Sequence, residues 1–256
     1  MAETAKRRRR PAASRKKKET PAAEQPSRIR VGIVGGAGYT AGELIRLLVN
    51  HPYADISFVH SESSAGKYLY QVHGGLFGDT GLKFCDSYSL DSVDVLFLCS
   101  AHGKSREFWE QHGCPESLKV IDLAQDFRDE SEGYVYGLPE MQKEKIGQAS
   151  KLANPGCFAT AIQLALLPLA EAGILEGDIC VNAITGSTGA GVRPSETTHF
   201  SWRSSNISAY KVFEHQHLKE IRRNLALMQD GFDSPINFIP MRGDFTRGIF
   251  ATAYLD

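Results

Sequence analysis

The sequence predicts an α/β protein, a parallel sheet with crossover helices followed by a second region of helices and antiparallel-looking strands. Two observations carry this reading. Short apolar runs rich in β-branched residues alternate with helical stretches through the first half, the pattern of parallel strands joined by crossovers. A glycine-rich turn over residues 32–42 links the first run to the first helical stretch. With 256 residues, 42% hydrophobic and 23% charged, the chain can build one large domain or two modest ones. No apolar run reaches the roughly 18–20 residues of a membrane-spanning helix, so an integral membrane protein of that kind is excluded.

Taken in order, residues 29–34 (IRVGIV) read as a buried strand. Residues 41–50 read as a helix with Leu44, Leu47 and Leu48 on one face, ended by His51-Pro52. A strand at 55–60 and a polar stretch at 61–67 follow. Residues 94–99 (DVLFLC) form an apolar strand, 105–112 a helix and 119–123 a further strand. The second region starts near Leu152. It opens with a mostly apolar helix over 158–170, interrupted by Pro168, and continues with a strand at 179–184. A Gly- and Ser-rich loop spans 185–198. An amphipathic helix over 217–228 aligns Leu218, Ile221, Leu225 and Met228, and strands at 236–239 and 248–254 look antiparallel. The chain shows no internal repeat.

The net charge of -1 hides an asymmetry. Residues 1–28 hold ten Lys or Arg against three Glu, and the rest holds 19 bases against 27 acids. The basic stretch is rich in Pro and Ala and cannot bury a core, so it reads as a disordered tail without the apolar segment of a secretory signal. Nucleic-acid binding is conceivable only through its residues 6–18, and the acidic body asks for no polyanion. Five scattered cysteines, odd in number and without a CxxC pair, argue against a disulfide framework and for a reducing compartment.

Chemistry concentrates in three places. Strand, glycine turn and helix together match the context of dinucleotide binding, where backbone amides at a helix start hold the pyrophosphate. The spacing here is GxxGxxG, and a ligand-free tight turn is the plain alternative. After the second strand, Ser61, Ser63 and Ser64 with Lys67 favour a 2′-phosphate and hence NADP, while Glu62 favours NAD. In ANPGCFAT (153–160), Pro155 and Gly156 break the chain before an apolar helix and set Cys157 at its N-terminus, where amides and macrodipole favour a thiolate. A buried structural cysteine is the alternative reading. Nucleophilic sulfur needs a proton carrier near neutral pH, and His215 and His217 stand out before the last helix. Their HxH spacing has no third ligand at an informative distance, so no metal is expected. Surface or capping roles stay open for both. His102 lies in a loop after a strand, where ligands tend to bind.

These residues add up to a resemblance. VGIVGGAGYTAGELIRLL (31–48), SSAGK (63–67), FLCSAHGKSRE (97–107), IDLAQDFR (121–128), YGLPE (136–140), ANPGCFAT (153–160), TGSTGAG (185–191) and HQHLKEI (215–221) occur in the order found in N-acetyl-gamma-glutamyl-phosphate reductases of the arginine pathway. The chain is more distantly similar to aspartate-semialdehyde dehydrogenase. The resemblance covers residues 29–256. It implies an N-terminal Rossmann-like doubly wound parallel sheet over 29–151 and an α+β catalytic domain with a mixed or antiparallel sheet over 152–256, behind the tail of 1–28.

It also implies a cytoplasmic, NADP-dependent reductase of a small acyl-phosphate substrate, assembled as a homodimer or homotetramer. Cys157 would form a thioester that NADPH reduces, with His215 or else His217 as acid/base. Cofactor contacts would come from Gly35, Gly36, Ala37, Gly38, Tyr39 and Thr40 in the turn. Ser61, Ser63, Ser64 and Lys67 would follow the second strand, with Ser100, Ser187 and Gly189 from later loops. Substrate contacts would come from Asn154 and from arginines, with Arg106, Arg128 and Arg193 as candidates. Ala41 replaces a frequent glycine, Gln125 a small residue, and Val192 lengthens the spacing to Arg193. Family members continue past the last strand, so a chain cut short at Asp256, with its activity open, is expected. An N-succinylglutamyl or aspartyl phosphate reductase and an inactive binding protein remain alternatives.

Overall fold

A computed structural model describes residues 27–255, so the basic tail expected over 1–28 lies almost wholly outside the described residues. The first half contains β1 (Ile29–Val34), α1 (Tyr39–Leu48), β2 (Ala54–His60), α2 (Leu69–Val72), β3 (Val95–Leu98), α3 (Lys104–His112), β4 (Lys119–Asp122), β5 (Val135–Tyr136), α4 (Pro139–Gln148) and β6 (Lys151–Ala153). The six strands form one sheet in the order β2-β1-β3-β4-β6-β5, and every pairing is parallel. Side-chain alternation along the strands sends residues to two cores. Val31 and Ile33 pack with Ala41 and Ile45 of α1, and Val34, Leu96 and Leu98 pack with Phe108 of α3. A sheet buried on both faces is the expected home of such apolar runs. The domain boundary read between 151 and 152 falls inside β6, which pairs with β4 and β5.

Two local readings need correction. The buried face of α1 is Ala41 and Ile45, with Leu44 and Leu48 packed beside them, whereas Leu47 is 60% exposed. At 100° per residue Leu47 lies roughly 120° round the helix from Ala41, outside the stripe that meets the sheet. Pro168 does not interrupt its helix either. α5 (Cys157–Glu171) runs straight through it, because Pro168 and Leu164 sit on the exposed side, where water can satisfy the carbonyl left without a donor.

The second region contains α5, β7 (Ile179–Thr185), α6 (Phe200–Arg203), β8 (Ser208–Ala209), α7 (Leu218–Met228), β9 (Ile236–Arg242) and β10 (Ile249–Tyr254). Its sheet is mixed, in the order β10-β7-β9-β8. β9 and β10 are not partners. Both flank β7, β9 parallel and β10 antiparallel to it. Phe158, Ile162 and Leu166 of α5 pack with Ile221 and Leu225 of α7 against Val181, Ala183 and Phe238 of the sheet. Among the described residues nothing covers the other sheet face at its β10 edge, where Phe250 and Tyr254 are exposed opposite Ile184 and Cys180. β6, in the first sheet, leads within three residues into α5, in the second. Cys157 therefore sits at the junction of the two layers.

Candidate active site

Gly156 precedes α5 with extended backbone and no side-chain cap. Its amide donates to Glu220 Oε2 at 3.1 Å, a carboxylate from the first turn of α7. Glu220 is buried and gathers further donors. Tyr136 Oη donates to Oε2 at 2.6 Å and Arg128 Nη1 donates to Oε1 at 3.0 Å. Arg128 also donates to the carbonyls of Asn154 (2.9 Å) and Leu123 (3.3 Å), and Gln163 Nε2 donates to Tyr136 Oη at 2.8 Å. This network ties the first sheet to α5 and α7 through fully partnered charges, the condition under which buried ions are tolerated. Gly156 is required by closeness. A Cβ there would lie 2.5 Å from Glu220 Oε1 and nearer still to His217 Nε2.

His215 and His217 are both buried beside this helix end. The His217 amide donates to His215 Nδ1 at 3.2 Å, so the neutral His215 ring carries its proton on Nε2. Rings of Phe158, Tyr210 and Phe238 meet His215 edge-on at 5.4, 5.7 and 5.5 Å. Burial, aided by the charges of Lys211 and Arg242, pushes its pKa down to about 4. His217 is pushed down to about 3 by burial first, then by His215 and Arg128. Its Nδ1 is buried without a partner, and its Nε2 lies 3.9 Å from Glu220 Oε1.

The thiol of Cys157 departs from expectation. Its residue is reachable by solvent, yet crowding by protein pushes its pKa up, against the pull of the Phe158 amide and Arg128. The helix end does favour the thiolate, but without substrate desolvation outweighs it. His102, in the loop before α3, also joins the site. It accepts from the Gln125 amide at 3.2 Å, and its charge is among those acting on His217.

The candidate arginines separate. Arg106 is committed to the 126–132 loop, donating to the Asp126 carbonyl, to Ser131 Oγ and to Glu132 while lying over Phe127. Arg128 is the clamp on Glu220. The Asn154 side chain is exposed and, among the described residues, donates only to the Pro155 carbonyl. Arg193 reaches a cleft of about 1100 Å³ at the carboxyl ends of β1, β2 and β3.

That cleft is also lined by Gly35, Ala37, Gly38, Ser61, Ser63 and Ser100 among the expected cofactor residues. Gly35 has φ +81°, and a Cβ would press within 2.8 Å of the Cys99 carbonyl. Gly38 begins α1 with no side-chain cap and no acid in the first turn, and a Cβ there would meet nothing closer than 3.8 Å. An uncapped helix start facing an open cleft fits a dinucleotide pyrophosphate, with Tyr39 and Thr40 supplying first-turn amides. Gly36 is buried against Val59, Ser64 is buried, and the Lys67 carbonyl pairs with the Phe84 amide, all outside the lining. Ser187 and Gly189 lie in a turn pinned to residues 245 and 246 and are outside it too. Sequence reading weighed Glu62 but not Asp86, which lines the cleft with it, and it gave no role to Gln163 or to Tyr136 and Glu220, although the last two lie inside the YGLPE and HQHLKEI segments.

Two family models match the chain, the semialdehyde dehydrogenase NAD binding domain over residues 30–149 and the semialdehyde dehydrogenase dimerisation domain over 157–256. N-acetyl-gamma-glutamyl-phosphate reductase of Parabacteroides distasonis is 58% identical over 230 residues, 89% of this chain and 71% of that protein. The chain belongs to the N-acetyl-gamma-glutamyl-phosphate reductase family. The enzyme of that name from Bacteroides thetaiotaomicron is likewise 58% identical, over 88% of this chain and 70% of its own length. The fold is that of semialdehyde dehydrogenases. Aspartate semialdehyde dehydrogenase II from Vibrio cholerae, complexed with ASA, superposes with TM-score 0.69 at 18% identity, covering 90% of this chain and 74% of that one. The NADP-bound aspartate semialdehyde dehydrogenase of Candida albicans gives 0.62 at 15%, covering 90% and 71%. The family member described here carries a nucleotide-binding domain and a dimerisation domain, and no helix among its described residues is long and apolar enough to cross a membrane.

Proposed function

We propose that this chain reduces N-acetyl-gamma-glutamyl phosphate to N-acetylglutamate semialdehyde and phosphate, in arginine biosynthesis, with NADPH as reductant. The observation that carries the reading is the helix end itself. Cys157 begins α5 where His217 and Glu220 close on Gly156, and the same chain opens a cleft suited to a dinucleotide at the carboxyl ends of β1, β2 and β3. The Cys157 sulfur attacks the acyl carbon, the S–C bond forms, and the C–O bond to phosphate breaks to leave a thioester. We assign His217 as the acceptor of the thiol proton, ahead of His215, because neither of its nitrogens makes a short hydrogen bond; with its pKa held low, the transfer must accompany attack on the acyl carbon, with Glu220 3.9 Å away to balance the imidazolium. His215 holds its proton on Nε2 and is suited to donate to the substrate oxygen as negative charge develops there. Bound nicotinamide supplies the hydride that takes the thioester to the aldehyde level.

Ser61 and Ser63, 3.4 Å apart on the cleft wall, support NADP, with Arg193 as the cation across it. Glu62 on the same wall supports NAD as the second reading. The names of the relatives favour the N-acetyl substrate over its N-succinyl or aspartyl counterparts. The uncovered sheet face with Phe250 and Tyr254 supports assembly into a homodimer or homotetramer. A free nucleophilic thiol and a biosynthetic role support a cytoplasmic location. The test is phosphate-dependent reduction of NADP by N-acetylglutamate semialdehyde, the reverse reaction. Cys157→Ala abolishes it under this reading, and surviving activity would remove Cys157 from the chemistry.

A further inference from the structure

Arg242 ends β9 and was not singled out by sequence. Strand alternation puts it on the same side as Phe238 and Pro240, the side facing α5. Its guanidinium carbon lies 4.6 Å over the Tyr210 ring, and Tyr210 in turn meets His215 edge-on. Nε of Arg242 is buried without a hydrogen-bond partner, and among the described residues its side chain has the Tyr210 hydroxyl as a polar neighbour but no carboxylate or carbonyl acceptor. The contrast with its neighbour is plain. Buried Arg203 spends its three nitrogens on the carbonyls of Thr197, Asn206 and Arg242 and on Ser208 Oγ. Arg128 has Glu220. A guanidinium kept beside a buried histidine with no counter-ion is costly unless an anion from outside completes it.

The substrate of the proposed reaction brings two anions, a phosphate on the reacting carbon and a carboxylate several bonds away. Arg242 acts electrostatically on His215 and Tyr210, whereas the charges acting on Cys157 are Arg128 and Glu220. The packing runs from Arg242 to the Tyr210 ring, from Tyr210 to His215 and from His215 to Phe158, the residue after Cys157, so Arg242 lies on the Tyr210 side of the histidine that flanks the helix end. The planar fork of arginine also matches a carboxylate in bidentate geometry. Resting on the functional reading above, we propose that Arg242 is the anchor for the substrate's remote carboxylate, with Tyr210 as the wall that aims its guanidinium.

The experiment reads alkylation of Cys157 by iodoacetamide, followed by mass spectrometry of the Cys157 peptide, in the full chain. N-acetylglutamate is the protecting probe, and N-acetyl-4-aminobutyrate, which lacks the α-carboxylate, is its control. In Arg242→Met the half-protecting concentration of N-acetylglutamate rises by about 10- to 100-fold, while protection by the control and by inorganic phosphate is unchanged. Arg242→Lys keeps the charge but loses the fork, and should still need about threefold more probe, which keeps the test decisive if the Met variant is poorly folded. Equal protection by N-acetylglutamate in wild type and both variants would overturn the proposal, as would a shift confined to phosphate. A wild-type chain protected equally by N-acetylglutamate, N-succinylglutamate and aspartate would count against the N-acetyl reading. In that case a shift at Arg242 for each of them would still support the anchor.

Discussion

Among the described residues α1, α3 and α5 each start at a glycine with no side-chain cap, and the starts of α1 and α5 are built for opposite purposes. At Gly38 the first turn of α1 opens onto the cleft, and an added methyl would meet no atom within 3.8 Å. At Gly156 the first turn of α5 is crowded by His217 and Glu220, and an added methyl would collide with both. One glycine leaves space for a ligand's phosphates, the other for the protein's own proton carriers. The same sequence device, a Gly-led helix, therefore says nothing by itself about which partner fills the space.

The largest expected effect comes from the crowded end. Glu220→Gln keeps the shape and the bonds from Tyr136 and Gly156 but leaves Arg128 as an unbalanced buried cation. It should cost about 3–5 kcal/mol of stability in denaturant unfolding, and a loss below about 1 kcal/mol would show the clamp to be dispensable. Next is pH. Both histidines are held well below their ordinary value, so the unfolded chain binds protons that the folded chain refuses. Their stabilising share is complete above about pH 6.5 and is lost as pH falls toward 4, a change on the order of 3 kcal/mol for His215 alone. Thermal melts of wild type and His215→Phe should converge as pH falls through this window; parallel curves would contradict the assignment.

Gly156→Ala should cost about 1–3 kcal/mol through overpacking and reduce turnover roughly 100-fold or more by displacing the imidazole. Gly38→Ala sharpens the contrast. Its backbone suits alanine and the space is open, so stability should stay within about 0.5 kcal/mol while KM for the nicotinamide dinucleotide rises. Unfolding curves with cofactor titrations on both variants separate the two ends. A fold lost in Gly38→Ala, or an untouched Gly156→Ala, would erase the distinction.

Much of the fold was legible because its signals are local. β1, β3 and β4 are apolar runs, the glycine turn follows β1 immediately, and Pro155-Gly156 announces α5. The orientation of β9 was not legible, because strand direction depends on which neighbour is met, and that neighbour is β7 rather than β10. Cys157, His215 and His217 could be found because each lies in a short distinctive segment. Glu220 could not. Its partners are Gly156, 64 residues away, Tyr136, 84 away, and Arg128, 92 away, and no local spacing joins them. Arg106 is the converse case. It follows a strand end as a ligand-binding arginine would, and only the folded 126–132 loop shows where its donors go. Ser61 and Ser63 line the cleft while Ser64, buried to the same degree as Ser61, does not, because the chain makes a tight 3₁₀ turn over Glu62–Ser64 that a polar stretch does not advertise.

The central claim is that Cys157 carries the acyl group. Mixing the protein with N-acetyl-gamma-glutamyl phosphate in the absence of any nicotinamide, then measuring released phosphate and intact mass, tests it most directly. The account predicts one equivalent of phosphate per chain and an N-acetylglutamyl adduct on the Cys157 peptide, labile to hydroxylamine. Phosphate release without an adduct, or an adduct on another residue, would contradict it.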